Sequence, residues 1–138
     1  MTDSTGRTML EDARSLATVA ARAAASKKAE GTVILEVGAL LAITDAFVIT
    51  SGTNARQVRT IAEEVETRAK QAGRGGPLRV EGLDDARWVL LDYGDVVVHV
   101  FLDEARHYYD LERLWSDAPR WSWDPEAVGG RGRAAAGE

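Results

Sequence analysis

Apolar residues recur at helical spacing in two long segments of the chain. The first follows Thr8, which forms a capping box with Glu11, and its pattern ends near residues 26–28. The second follows Asn54, a residue type that favours the N-cap of a helix. Its apolar positions are Val58, Ile61, Ala62, Val65 and Ala69. This spacing predicts two amphipathic helices that each bury one face.

Five shorter runs have the composition of β-strands, with many apolar and β-branched residues. They cover residues 32–37, 46–50, 78–81, 88–92 and 96–101. The run at 46–50 has few polar residues, which indicates a strand covered on both faces. The last two runs flank Tyr93 and Gly94, and this spacing predicts an antiparallel hairpin. The connection at 38–45 has no pattern that assigns its conformation.

A short final helix is predicted after Asp103, which can cap it, because Tyr108, Leu111 and Trp115 follow at helical spacing. The order of elements is then α, β, β, α, β, β, β, α. Two long helices can cover a mixed sheet, so this order indicates an α/β fold, or α+β in a stricter scheme. We expect a flexible N-terminus over residues 1–7, one domain over residues 8–117 and a mobile tail over residues 118–138.

The charge of the chain indicates the kind of partner that it can bind. The formal net charge is -5, and residues 81–117 contain ten Asp or Glu against three Arg. Binding to nucleic acid regardless of its sequence depends on Lys and Arg that neutralise phosphates, so this balance argues against it. An acidic surface favours a basic protein partner instead.

The cellular compartment of the protein is indicated by features that the sequence lacks. The 138 residues include no cysteine, which excludes disulfides and thiolate chemistry. No apolar run approaches the roughly 18 residues of a membrane span, and the first residues do not have the pattern of a signal peptide. We therefore expect a cytoplasmic protein that does not enter the membrane.

The predicted hairpin presents different residues on its two faces. Alternation separates one set, Trp88, Leu90 and Asp92, from another, Val89, Leu91 and Tyr93. If the first face is exposed, Trp88 belongs to an apolar patch of the kind that anchors protein interfaces. If it is covered, the same residues pack in the core beneath a helix. The residues alone leave both interpretations open.

Two pairs of residues could support phosphate or metal chemistry, and each has a structural alternative. Asp92 and Asp95 could hold a divalent metal, but an Asp beside a hairpin glycine more often bonds to the turn backbone. Gly52 and Thr53 precede a helix and could bind a phosphate through free N–H groups. Helix capping accounts for the second pair equally well.

The two histidines, His99 and His107, are eight positions apart and fall on different predicted elements, which argues against a zinc pair. His99 could act as a general base with Asp92 or Asp95, but no complete catalytic set accompanies it. A structural or interface role is therefore favoured for His99.

Four motifs suggest a known family. They are Ile43-Thr44-Asp45, Thr50-Ser51-Gly52-Thr53 with Arg56-Gln57-Val58, the sequence WVLLDYGDVVVH at 88–99, and the sequence RHYYDLERLW at 106–115. Together they resemble the ribosomal silencing factor family, also called the Iojap-like family, from about residue 10 to residue 115. Trp121 and Trp123 follow the last motif and have no assigned role.

The resemblance implies a three-layer α/β/α domain with a mixed five-stranded sheet, similar in shape to nucleotidyltransferases but without enzymatic activity, cofactor or metal. It implies binding to the large ribosomal subunit through ribosomal protein fourteen, with little direct contact to nucleic acid. This binding blocks joining of the small subunit and represses translation under nutrient limitation, and the free protein is a homodimer. The partner-binding residues are then Trp88, Leu90, Asp92, Tyr93, His99, Tyr108, Tyr109 and Trp115.

Two competing hypotheses remain at this point. One is a metal-dependent nucleotidyl or phosphoryl transferase that uses Asp92, Asp95 and the turn at Gly52-Thr53. The other is a factor for assembly of the large subunit that uses the same docking site.

Overall fold

The computed structural model describes residues 4–123, with side chains from Leu10 onward. The helices in this part of the chain are α1 (Ser4–Ser26), α2 (Ala55–Gln71), α3 (Asp103–Tyr109) and α4 (Leu111–Leu114). The strands are β1 (Glu30–Glu36), β2 (Ala46–Gly52), β3 (Arg79–Glu81), β4 (Trp88–Asp92), β5 (Val96–Leu102) and β6 (Arg120–Trp121). None of the helices within residues 4–123 is both long and apolar enough to cross a membrane.

The strands form one mixed sheet in the order β3-β4-β5-β2-β1-β6. Strands β2 and β5 are parallel, and the other neighbouring pairs are antiparallel. Every residue of β2 is buried, as its apolar run predicted. The predicted α/β class is confirmed, but the sheet has six strands rather than five because β6 extends it beyond β1.

Both long helices lie on the same face of the sheet. Their buried residues and those of the sheet form the larger core cluster. To it α1 contributes mainly alanines, and α2 contributes the five residues that its periodicity predicted, Val58, Ile61, Ala62, Val65 and Ala69. The small alanine side chains let the two helices approach each other closely. On the opposite face, α3 and α4 pack over a second, smaller cluster that contains Phe47 and Phe101. The two outer layers are therefore unequal.

Helix α2 begins where its cap was predicted, because Asn54 Oδ1 accepts a hydrogen bond of 2.8 Å from the backbone N–H of Gln57. Helix α1 ends at Ser26, close to the predicted end. Its predicted start at Thr8 is wrong, because the helix begins at Ser4. No proline precedes Thr8, so helical hydrogen bonding continues toward the N-terminus. Of the segment 1–7 that was predicted to be flexible, positions 1–3 lie outside the described residues.

The single final helix predicted from Asp103 is wrong in two respects. Leu102 is the N-cap and Asp103 is already helical, and the helix breaks at Asp110, whose φ of 49° is left-handed. Asp tolerates this conformation better than most residues. Because of the break, Tyr108 does not share one buried face with Leu111 and Trp115, and its side chain is 79% exposed.

Residues 118–123 fold onto the domain, so the prediction of a mobile tail from residue 118 is wrong for this segment. Trp121 of β6 pairs with Ile34 of β1 and is buried, and its indole N–H donates to Glu36 Oε1 at 2.9 Å. The guanidinium of Arg14 lies 4.7 Å from the centre of its ring. The Trp123 indole N–H donates to the backbone oxygen of Thr32 at 3.1 Å. The remainder of the predicted tail, 124–138, lies outside the described residues.

Replacement of Trp121 tests whether β6 is an integral part of the domain. We expect Trp121→Ala to lower the free energy of unfolding by about 3 kcal/mol, because a large apolar side chain leaves the core. Urea denaturation measures this change. The neighbouring exposed residue provides the control, since Ser122→Ala should change stability by less than about 0.5 kcal/mol. Equal midpoints for both variants would show that β6 does not stabilise the fold.

Candidate functional site

The strand β4 presents one buried and one partly open face, as alternation predicted. Val89 and Leu91 are fully buried beneath α1 and α2, whereas Trp88, Leu90 and Asp92 are partly exposed on the other side. We call this second side of the sheet the open face. It comprises Trp88, Leu90 and Asp92 of β4, Val97 and His99 of β5, and Phe47 of β2.

One half of the open face is covered by an aromatic cluster. Trp88 stacks on Phe101 with ring centres 5.0 Å apart, contacts the Tyr109 ring at 4.7 Å, and donates its indole N–H to His99 Nδ1 at 3.1 Å. Both earlier interpretations of Trp88 therefore apply in part, because it packs within the fold and yet remains partly exposed. Tyr108 lies edge-on to Tyr109 at the exposed rim of this cluster.

Trp115, which directly follows α4, joins the same layer, with its ring edge-on to Phe47 and the ring centres 5.7 Å apart. It is partly buried, like Trp88. Tyr108 is largely exposed, and Trp88 and Trp115 are partly exposed, so a partner can contact each of these three aromatic residues.

The other half of the open face is an apolar groove with a volume of about 330 Å³. Its floor includes Leu90 and Val97, and its rims carry Ile43 from the connection before β2 and Leu78 from the segment before β3. Ile43 is 83% exposed and Leu78 is 78% exposed. We call this feature the sheet groove. Sequence reasoning missed both rim residues as site residues, although Ile43 belongs to one of the four motifs.

His99 lines the sheet groove and is 4% exposed. Burial lowers the pKa of its imidazole from 6.5 to about 4, so the ring is neutral at physiological pH. Its Nδ1 accepts the Trp88 hydrogen bond, which assigns the single proton of the neutral ring to Nε2. His99 is thus a packed residue of the open face, with no hydrogen bond to Asp92 or Asp95 among the described side chains.

The two carboxylates considered as a metal pair have other partners. Asp92 Oδ1 accepts a hydrogen bond of 2.8 Å from the backbone N–H of Gly94, which is the turn role. Asp95 accepts two hydrogen bonds from one Arg74 nitrogen, at 2.8 and 2.9 Å. Within the described residues, no group of three or more His, Asp or Glu side chains is placed to hold a metal ion.

The turn at Gly52 and Thr53 caps a helix. The backbone N–H of Thr53 donates to Gln57 Oε1 at 2.7 Å, so the donor that a phosphate would need is already engaged. The capping interpretation of this turn is therefore the one that the geometry supports.

Tyr93 is separated from the other predicted partner-binding residues. It belongs to the core cluster beneath α1 and α2, on the face opposite the sheet groove, and is 8% exposed. Burial, together with the charge of Glu66, raises the pKa of its hydroxyl to about 12. Tyr93 is therefore not part of the open face.

Arg106 anchors α3 to the sheet, a role that sequence reasoning missed. Its guanidinium donates to the backbone oxygens of Glu30 and Gly31, at 3.1 and 2.6 Å, and to Ser51 Oγ at 3.1 Å. It also pairs with Glu112 at 3.0 Å, which holds α4 beside α3. The exposed position of Tyr108 and Tyr109 depends on this anchor.

Comparison with known proteins identifies the family. A family model described as "Ribosomal silencing factor during starvation" matches residues 10–136, a range that includes Trp121 and Trp123. The chain is 43% identical over 106 residues to the ribosomal silencing factor RsfS of Bacillus subtilis, covering 77% of this chain and 89% of that protein. A crystal structure of a Chromobacterium violaceum protein matches with a TM-score of 0.72 and 34% identity, covering 75% of this chain and 85% of that one.

A more distant relative is the mouse protein named "Mitochondrial assembly of ribosomal large subunit protein 1", which is 34% identical over 85 residues, covering 60% of this chain and 37% of that protein. The names of these relatives describe ribosome-associated proteins rather than enzymes. The chain belongs to the ribosomal silencing factor family.

The burial of His99 predicts a pH dependence of stability. Its folded pKa of about 4 lies below the ordinary 6.5, so between these values the unfolded chain binds a proton that the folded chain does not. The free energy of unfolding therefore falls as the pH drops below about 6.5. Between pH 7.5 and pH 5 we expect wild type to lose about 2 kcal/mol more than His99→Asn, measured by urea denaturation. Parallel losses, or an NMR titration midpoint near 6.5 for His99, would contradict this burial.

Proposed function

We propose that this protein binds the large ribosomal subunit through ribosomal protein fourteen and prevents the small subunit from joining it. Translation is thereby repressed when nutrients are limiting. Membership of the ribosomal silencing factor family supports a ribosomal partner. The observation that carries the proposal is the sheet groove, whose rim residues Ile43 and Leu78 are apolar and almost fully exposed.

The docking surface that we propose combines both halves of the open face. It comprises Trp88, Leu90, Asp92, His99, Tyr108, Tyr109 and Trp115, together with Ile43 and Leu78. Full burial of an aliphatic side chain such as Leu contributes roughly 1.5–3 kcal/mol, so the two rim residues alone offer a substantial binding energy. A stable interface would extend around them to about 1,200–2,000 Å².

Charge supports a basic protein as the partner. The exposed loop between β3 and β4 carries Asp84 and Asp85, and Glu81 precedes it on the exposed strand β3. These acidic side chains, together with the formal net charge of -5, favour the approach of a basic protein and disfavour the phosphates of RNA. The groove itself is lined by the paired side chains of Arg79 and Asp92, 3.5 Å apart. This arrangement favours contact with a ribosomal protein over contact with ribosomal RNA.

Silencing by this route requires no catalysis, because a folded domain at the subunit interface excludes the small subunit by its volume. Asp92, Asp95 and Thr53 are engaged within the fold, which gives the transferase hypothesis no support. We also propose, on the family resemblance, that the protein acts in the cytoplasm and forms a homodimer when it is free of the ribosome.

The name of the mouse relative favours a second role in assembly of the large subunit. A factor that binds a maturing subunit through its own open face would use the same docking surface. The two roles differ in timing, because assembly requires binding to precursor particles and silencing requires binding to mature ones.

Substitution at the groove rims tests the docking surface. We expect Ile43→Ser and Leu78→Ser each to weaken binding to purified large subunits about tenfold, because each removes exposed apolar area without adding charge. Co-sedimentation at graded protein concentrations measures the affinity. On sucrose gradients with both subunits present, wild type should prevent joined ribosomes from accumulating, and the double variant should not.

Leu10→Ser is the matched control, because Leu10 is also exposed but lies on α1, on the other side of the sheet. It should bind like wild type. Unchanged binding by both rim variants would place the docking surface elsewhere. Trp88→Ala is a less specific probe, since Trp88 also packs against Phe101 and Tyr109 within the fold.

Magnesium and nucleotide titrations test the absence of catalysis. We expect calorimetry to detect no saturable binding of magnesium or ATP at millimolar concentration, because the carboxylates of Asp92 and Asp95 already have partners. Saturable binding that disappears in Asp92→Asn would support the transferase hypothesis instead.

A further inference from the structure

Three charged side chains lie together beside the sheet groove. Arg79 and Asp92 are directly opposite each other on the antiparallel strands β3 and β4, and Glu81 lies two residues further along β3 on the same face. Arg79 pairs with both carboxylates, at 3.4 Å to Glu81 Oε2 and 3.5 Å to Asp92 Oδ2. Among the described residues, no second basic side chain forms a salt bridge with either carboxylate. We call these residues the charged trio, which has two negative charges and one positive charge.

Asp92 is the carboxylate of the charged trio that a partner in the groove can contact. Its side chain lines the groove and is 24% exposed, whereas that of Glu81 does not line it. Asp92 Oδ1 accepts from the backbone N–H of Gly94 at 2.8 Å, so the turn already occupies this oxygen. Within the described part of the chain, the hydrogen-bond partner of Oδ2 is Arg79 alone. Oδ2 is therefore the atom that can bind a further cation.

The contact between Asp92 and Arg79 is loose enough to be exchanged. A close hydrogen bond between charged groups spans about 2.7–2.9 Å. This contact is 3.5 Å long, and the Arg79 side chain is 59% exposed. Exposed ion pairs of this kind contribute little to stability. If Arg79 moves away from Asp92, Glu81 still neutralises its charge, so the exchange leaves no cation unpaired.

Filling of the groove decides which partner Asp92 accepts. A segment that occupies the groove removes water from the carboxylate, and this is costly unless a cation replaces the water. Leu90 and Val97 line the groove beside Asp92, and apolar surroundings strengthen the attraction between a carboxylate and a nearby cation. A partner with an apolar side chain alone therefore binds less tightly than one that adds a basic side chain.

The following inference rests on the docking function proposed above. We propose that Asp92 selects a Lys or Arg side chain of the ribosomal protein partner, which binds Oδ2 while Arg79 pairs with Glu81. This basic residue lies next to an apolar residue whose side chain fills the groove between Ile43 and Leu78. Arg79 neutralises Asp92 in the free protein and competes with the cation of the partner. The groove thus distinguishes a basic and apolar segment from one that is only apolar.

Replacement of Asp92 tests the selection of a cation. Asp92→Asn removes the charge and retains an oxygen that can accept from Gly94, so urea denaturation should show little change in stability. We expect its affinity for purified large subunits, measured by co-sedimentation, to fall at least about tenfold. Asp84→Asn is the matched control, because it removes the same charge outside the groove, and its affinity should fall less than about threefold. Equal losses in the two variants would overturn the proposal.

Replacement of Arg79 distinguishes this role from a structural one. If Asp92 served only to hold Arg79, Arg79→Gln would weaken binding as Asp92→Asn does. We expect the opposite effect, because loss of Arg79 removes the competitor of the partner's cation. Arg87→Gln is the control, since it removes the same charge from an exposed position outside the groove. Arg79→Gln should bind large subunits about threefold more tightly than Arg87→Gln, and equal or weaker binding contradicts the proposal.

The rim variants keep this inference separate from the docking function. If Ile43→Ser and Leu78→Ser weaken binding while Asp92→Asn binds no more weakly than Asp84→Asn, the docking surface stands and the selection by Asp92 fails. If both rim variants and Asp92→Asn bind like wild type, the docking function itself fails, and the inference fails with it.

Discussion

The parallel pairing of β2 with β5 is the interaction on which the rest of the structure depends. It runs without a break from Ala46 opposite Val96 to Gly52 opposite Leu102, and it joins the half-sheet β6-β1-β2 to the half-sheet β5-β4-β3. Parallel neighbours need a long crossover, and here that crossover begins with α2. Because α1 packs beside α2, both long helices cover one face and leave the other to the short helices α3 and α4. The open face is a direct result of this imbalance.

The open face combines two kinds of surface. In the aromatic half, Trp88 has ring contacts on two sides and a hydrogen bond to His99. The groove half is apolar at its rims, and the paired side chains of Arg79 and Asp92 also line it. A partner that fits both halves must present an apolar projection to the groove and a second surface to the aromatic cluster, which is a more selective requirement than charge attraction alone.

Sequence reasoning succeeded where local pattern and final environment agree. The stripe of α2, the buried run of β2 and the alternation in β4 each reflect burial that repeats at the period of the element, so periodicity alone predicted them. The same alternation placed Trp88 and Tyr93 on opposite faces. The motif resemblance nevertheless assigned both residues to one surface, and the structure shows that the alternation was the better guide.

Prediction failed where the outcome depends on contacts distant in sequence. The final helix breaks at Asp110, and Arg106 ties α3 to residues of β1 and β2 that no local pattern connects with it. Ile43 and Leu78 become groove rims only because their two irregular segments meet across the sheet. The pairing of β6 with β1 likewise depends on contacts distant in sequence. The indole N–H of Trp121 donates to Glu36, 85 positions earlier, and that of Trp123 donates to Thr32, 91 positions earlier.

The placement of β6 also bears on whether the sheet can pair with further strands. A sheet with a bare edge is a template for strand-by-strand stacking into fibrils. Here β6 caps the margin of β1, and the opposite margin is the three-residue strand β3, which carries the charged pair Arg79 and Glu81. One margin thus ends in a two-residue strand and the other in a short charged strand, so neither offers a long, regular edge to which a further strand could pair.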